Sequence, residues 1–323
     1  MKVAGLIAIA TASVLASGHA FAQALEKVPM LIFGPPSLGA FLPPVIKAKK
    51  FDEKHGIDIV FSERPPDAYI VQFNSGEFQL GGSAALLNVG LAAEKGVKVV
   101  YLFNVFNYWS YVVTSRDDVK TLKDLEGKEM VAAKSTSSYR IMTWFAKQQG
   151  VDVNKISVVN TAPPGLASYI LADRAAAVQM WDPGYDLLKS KKPEIRTLDL
   201  KIPETWKNFT GGSAIPYLGV AAHTSWVEKN QHIIPKLFNT YKDAAEWTLA
   251  NPAEASTIIF AKAAPEAQKG VAQLIGDNKR LGMKVQWPSD VQKDMLSIYK
   301  VGIDVGLMSK DPGAQTLYAG PKQ

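Results

Sequence analysis

The sequence predicts an α/β protein built as two lobes. Three observations carry this. Short apolar strands alternate with helices from residue 30 onward, and a second block repeats the pattern of the first. At 323 residues the chain also exceeds what one hydrophobic core usually supports. Repeated strand–helix units of this length imply right-handed crossovers and parallel strands.

In order, residues 30–33 form a short apolar strand that Gly34-Pro35-Pro36-Ser37-Leu38-Gly39 interrupts. A helix is expected over 41–55 and ends at Gly56; a β-branched strand follows over 57–61. Then come helix 68–74, strand 78–80, helix 84–95 and strand 97–103, with Gly81-Gly82-Ser83-Ala84 as a loop. After the irregular run Phe106-Asn107-Tyr108-Trp109, the second block opens with strand 110–115. It continues as strand 128–133, helix 139–149, strand 155–160, helix 166–173, strand 176–180, helix 184–189 and strand 194–198. Strand 217–223 follows Gly211-Gly212, and from there the pattern is helices alone: 236–250, 252–261, 266–274 and 288–301.

The first 22 residues read as a secretory signal peptide. Lys2 precedes an apolar run, and Ala20-Phe21-Ala22 is a small-x-small cleavage site before Gln23. The chain has no Cys, which excludes disulfides, thiolate catalysis and Cys-ligated metal. It also excludes a bacterial lipid anchor, which needs Cys where Gln23 stands. The expected location is therefore the periplasm, unanchored. The formal net charge of +6 includes Lys2 and is spread without a basic run, so it favours anionic ligands weakly and gives no nucleic-acid footprint.

Four stretches in register resemble periplasmic solute-binding proteins of the nitrate/sulfonate/taurine ABC transporter family, which has a branch for thiamine pyrimidine precursors. They are residues 46–59, Asn74-Ser75-Gly76-Glu77-Phe78 with Gly81-Gly82-Ser83, residues 122–128, and Met180-Trp181-Asp182-Pro183. The resemblance implies a type II periplasmic binding fold, with two α/β lobes around a ligand cleft and a helical C-terminal segment. The lobes would be 23–108 with 217–323, and 109–216. It implies a small anionic or zwitterionic ligand, an inner-membrane ABC permease as partner, no cofactor and a monomer.

Open parallel sheets bind ligands beyond the carboxyl ends of their strands, where helix N-termini present free N–H groups. Ser137, Ser138 and Tyr139, within a run of hydroxyls before a helix, are the leading candidates, although Ser and Thr also belong there as caps. The resemblance matches this loop to the family's second-lobe site. Gly82 and Ser83 are the equivalent first-lobe candidates, with a tight turn as the alternative. Trp181 and Asp182 follow an apolar strand; Asp182 would bind a donor, or else cap the next helix before Pro183. Ser37, Phe41, Tyr69, Asn107 and Trp109 complete the set. Their aromatic content suits an aromatic or heterocyclic ligand better than nitrate.

Nucleotide-binding glycine fingerprints and G-x-S-x-G are absent, and His55, His223 and His232 have no metal spacing. Ser297-Ile298-Tyr299-Lys300 matches S-x-x-K without its partner motifs. The expected function is the solute-binding subunit of an ABC importer. The alternatives are an enzyme on the same fold, of the menaquinone-pathway type, and a ligand sensor that presents its bound state to a receptor.

Overall fold

Parallel pairing begins with Glu26–Phe33 (β1) against Ile57–Arg64 (β2), from Glu26 opposite Ile57 to Phe33 opposite Arg64. These strands belong to a computed structural model that describes residues 25–320. The signal peptide expected over 1–22 lies outside the described residues. The remaining strands are Leu80–Ala85 (β3), Val99–Asn107 (β4), Tyr111–Thr114 (β5), Glu129–Ala132 (β6), Ser157–Asn160 (β7), Ala177–Met180 (β8), Arg196–Leu198 (β9), Pro216–His223 (β10) and Met283–Gln286 (β11).

Two sheets result, ordered β11-β4-β10-β3-β1-β2 and β7-β6-β8-β5-β9. β1, β2 and β3 run parallel, as do β6, β7 and β8. The expected parallel pairing holds for these six strands, but both sheets are mixed. β10 is antiparallel to β3 and β4, β11 to β4, and β5 to β8 and β9. The reason is topological: the chain leaves the first sheet along β4, enters the second at β5, and returns along β10. The outgoing and returning segments lie side by side, with Asn107 opposite Pro216 and Tyr108 N–H donating to the Ile215 carbonyl at 2.7 Å. The ring of Tyr108, just past β4, meets that of Tyr217 in β10 edge to face at 5.5 Å.

Several local expectations are also corrected. The helix expected over 41–55 is a 3-10 turn, Leu38–Ala40, followed by helices Pro43–Lys49 and Phe51–Lys54, with Lys50 between them at φ 55°. The break turns Asp52 inward, where its carboxylate accepts the Ile59 N–H at 3.0 Å and pairs with Lys47. Gly81–Ala84 is not a loop but buried strand within β3. The C-terminal region is not helices alone, because β11 edges the first sheet. Helices Ile202–Thr210 and Thr224–Lys229 were not expected from the sequence pattern.

Helix Ile233–Ala250 covers one face of the first sheet through Leu237, Phe238 and Tyr241, all buried. Phe238 stacks on Trp287 at 3.9 Å and meets Phe103 of β4 edge-on. Helix Pro288–Asp304 joins the other core, which extends into the second sheet through Trp144 and Phe145. No helix among the described residues is long and apolar enough to cross a membrane.

Candidate functional site

A cavity of about 530 Å³ opens between the two sheets. Its walls are the segments at the carboxyl ends of the six parallel strands. Phe33–Leu38 follows β1, Glu63–Pro66 ends β2, Ala85 ends β3, Ser135–Ser138 follows β6, Ala162–Pro164 follows β7, and Trp181 follows β8. The outgoing crossover adds Trp109, and β10 adds Tyr217 and Leu218. Open α/β sheets place their binding crevices at such strand ends, and the volume suits a small molecule.

The walls are largely apolar. Pro35-Pro36, Pro65-Pro66 and Pro163-Pro164 all line the cavity, together with Phe33 and the rings of Trp109, Trp181 and Tyr217. Proline pre-sets the first helical turn and removes an N–H there. Helices Pro66–Asn74 and Pro163–Leu171 therefore begin with carbon at the cavity wall where donors would otherwise stand.

Helix Ser137–Gln148 begins differently. Thr136 caps it: its hydroxyl accepts the Tyr139 N–H at 3.3 Å and donates to the Ala133 carbonyl at 2.7 Å. The backbone N–H groups of Ser137 and Ser138 have no protein partner among the described residues. Ser138 is braced from behind, with Gln179 donating to its hydroxyl at 3.2 Å and Tyr108 to its carbonyl at 3.1 Å. Burial pushes the Tyr217 hydroxyl pKa up, against the hydroxyls of Ser137 and Ser138 beside it, so Tyr217 stays neutral. The cavity thus has one donor-rich edge on an otherwise apolar surface. Ser37 Oγ and Trp109 Nε1 are buried with no partner among the described residues, and both residues line the cavity.

Of the residues expected from the sequence, Ser37, Trp109, Ser137, Ser138 and Trp181 line this cavity. The others do not. Phe41 is buried edge-on against Phe106 and Phe260. Tyr69 meets Phe33 edge-on at 4.7 Å and stacks on Phe73, one layer behind the wall. Ser83 Oγ accepts the Phe33 N–H at 2.8 Å, which fixes the end of β1. Gly82 is glycine because a Cβ there would meet Met30 Sδ at 2.5 Å and the Tyr241 hydroxyl at 2.8 Å. Asn107 sits at the end of β4, where its N–H donates to the Gly282 carbonyl at 2.9 Å. Tyr139 turns into the core of the second sheet, beside Val112 and Met142.

Asp182 is buried behind Trp181. Tyr111 donates to it at 2.6 Å, and Arg280 stands 3.6 Å away. The cap position of the next helix, Gly184–Lys191, falls on Pro183 and not on Asp182. Burial pushes the Asp182 carboxyl up to about 6, while the Tyr111 hydrogen bond and the Arg280 charge pull it down.

Sequence reasoning missed Asn88, Tyr217, the adjacent pair Glu63 and Arg64, and all six prolines of the wall. The prolines carried a signal, because each Pro-Pro pair closely follows a strand that belongs to a parallel set. Among the described residues, no group of three or more His, Asp or Glu comes together as a metal site.

Two mixed sheets with a cleft at the carboxyl ends of their parallel strands define the periplasmic solute-binding fold. The chain belongs to the NMT1/THI5-like family, whose model matches residues 45–255. A protein of Brucella abortus (strain 2308), named as a binding protein with no ligand stated, is 23% identical over 227 residues, covering 69% of this chain and 67% of its own. The fold is similar to that of the periplasmic aliphatic sulphonate-binding protein SsuA of Escherichia coli, with TM-score 0.72, 17% identity and 93% of each chain covered. It is also similar to the alkanesulfonate-binding protein SsuA of Xanthomonas axonopodis pv. citri bound to MOPS, with TM-score 0.70, 15% identity, and 89% of this chain and 95% of that one covered.

Proposed function

We propose that the protein is the extracytoplasmic solute-binding subunit of an ABC importer. It captures a small organic anion with an aromatic or heterocyclic ring and delivers it to an inner-membrane permease. In this reading the leader directs it to the periplasm, where it works as an unanchored monomer. Residues 23–108 with 217–323 form one lobe and 109–216 the other, and the paired crossovers β4 and β10 serve as the hinge.

The observation that carries this is the cavity at the ends of six parallel strands, walled by rings and prolines with one donor-rich edge at Ser137 and Ser138. Proline and indole faces offer a flat ring a large apolar contact. Free helix N–H groups favour an anion. Taurine or nitrate would leave most of the apolar wall unused.

The test is a thermal-shift screen of the chain from Gln23. The panel spans aromatic carboxylates, aryl and alkyl sulfonates, pyrimidines, taurine and nitrate. A true solute at 100 times its Kd adds about 2.7 kcal/mol, which raises Tm by roughly 4 °C. A shift with taurine or nitrate and none with ring compounds would overturn the ligand class. Import of the identified solute unchanged by gene deletion would overturn the transport role.

A further inference from the structure

A second cavity, of about 260 Å³, adjoins the first, and Ile70, Ala85, Asn88 and Ser135–Ser137 line both. The two differ in charge. Glu63 and Arg64 stand together in the wall of the first. The second is lined by Lys95, Lys134 and Arg140, with no carboxylate among its described lining residues. Elsewhere Lys47, Lys54 and Lys192 each lie within 2.7 Å of a carboxylate. The three cations of the second cavity have no such partner among the described residues.

Two members of the cluster have local support. The Lys134 backbone N–H is tied to Asn160 Oδ1 at 2.8 Å. The Arg140 guanidinium lies 5.8 Å over the Tyr139 ring, which supports its face and leaves its N–H edges available. Lys95 and Lys134 are exposed and Arg140 is half-buried, so the cavity is open to water, and positive charge of one sign lining it draws an anion there. A single negative charge leaves that cluster in surplus; two negative charges come closer to matching it.

We infer that the second cavity is a subsite for a doubly charged anionic group, and that the solute is a two-part molecule. Its ring lies in the first cavity near Trp109 and Trp181. Its dianionic group, attached by a short tether, passes Asn88 and Ser137 to reach Lys95, Lys134 and Arg140. This rests on the first cavity being the solute site, and it narrows the solute from an organic anion to a ring with a dianion. A phosphate, with about −1.5 to −2 charge at pH 7, and a pair of carboxylates share that chemistry.

Titration calorimetry with phenyl phosphate, benzylmalonate, benzoate and benzyl alcohol tests the inference on the chain from Gln23. The expected result is that a dianionic probe binds about tenfold or more tighter than benzoate, since each hydrogen bond to a charged group counts strongly. The preference between phenyl phosphate and benzylmalonate identifies the source of the charge. The double variant Lys134→Gln/Arg140→Gln should erase the advantage and leave benzoate binding unchanged, and added salt should narrow the advantage in the unmodified protein. Equal affinity for benzoate and both dianions, an advantage that survives in the double variant, or no binding of either dianion overturns the subsite. Trp181→Ala with no effect on any probe, while the double variant still loses the dianion, would instead overturn the first cavity as the ring site.

Discussion

Arg280 grips Asp186 through two hydrogen bonds of 2.9 and 2.8 Å, and it does so across the seam between the two sheets. Arg280 precedes β11 at the edge of the first sheet, and Asp186 lies in the helix after β8 of the second. The same guanidinium donates to the Tyr111 hydroxyl at 3.0 Å, and Tyr111 donates onward to Asp182. The network backs directly onto Trp181 of the cavity wall, so the contact joining the C-terminal segment to the second sheet also braces that wall.

Arg280→Ala removes the shared partner of this network and leaves Asp182 and Asp186 without their cation. Removing one partner of a buried ion pair costs about 3–5 kcal/mol, and the partial exposure of Arg280 reduces this to roughly 2–3 kcal/mol. Urea unfolding measures it. A change within about 0.5 kcal/mol, the size of an ordinary surface substitution, would mean that the pair holds nothing together.

Asp182 gives the network a pH signature. Its folded carboxyl titrates at about 6, against an ordinary value of 3.8. The groups that face it are Tyr111, Tyr185, Asp186 and Arg280. A carboxyl whose pKa is raised by folding binds more protons in the folded state. Its contribution is fully present below about 3.8 and is lost as pH rises through about 6. Asp182→Asn abolishes that titration. The variant should therefore gain on the unmodified protein between pH 4 and 7 by up to roughly 3 kcal/mol. Stability-against-pH curves that run parallel across this window would place the titration elsewhere.

The same residues mark what could be read from the sequence. The alternation of strands and helices was legible because short apolar or β-branched runs recur, several of them closed by a breaker: Gly34 after β1, Pro65 after β2, Asn107 at the end of β4 and Asn160 at the end of β7. The cleft was legible in Ser137, Ser138 and Trp181 because each follows a strand. Tyr139 and Asp182 stand one residue further on and point away, since helix phase and the turn after β8 decide direction at that scale. Gly81–Ala84 read as a loop because two adjacent glycines signal a turn; in the fold they are the only side chains small enough to pack under Met30, Tyr69 and Tyr241. Arg280 lies 94 residues from Asp186, and no local pattern links them. β11 has only four residues, too few for an alternation to declare itself.

Two glycines with opposite surroundings test the packing. At Gly219 in β10, a Cβ would run into the Phe103 backbone carbonyl and the Tyr101 ring, and backbone cannot move aside as a flexible side chain can. Gly219→Ala should cost about 2–3 kcal/mol, in the range of overpacking, and disturb the crossover pair β4–β10. At Gly270, inside helix Pro265–Asp277, nothing lies within 4 Å of a new Cβ. Gly270→Ala should add about 0.5–1 kcal/mol through helix propensity. Thermal melts distinguish the two, and a neutral Gly219→Ala would contradict the close approach of β4 and β10.

The two indoles of the cleft should separate ring contact from hydrogen bonding. Trp181 lines the cavity with the Arg280 network behind it, so its expected contribution is apolar area against the solute ring. Trp181→Ala should weaken binding of the ring ligand found by thermal shift about tenfold to a hundredfold, and Trp181→Phe should restore most of that. Trp109 differs, because its Nε1 is buried with no partner among the described residues. Trp109→Phe keeps much of the ring and removes only that donor, so it should cost about threefold to tenfold for a ligand with an acceptor in reach, and nothing for an analogue without one. Calorimetry on both ligands reads the difference. Equal losses for the two analogues would mean that the Trp109 indole contributes area alone, and unchanged affinity in all three variants would move the ring out of this cavity.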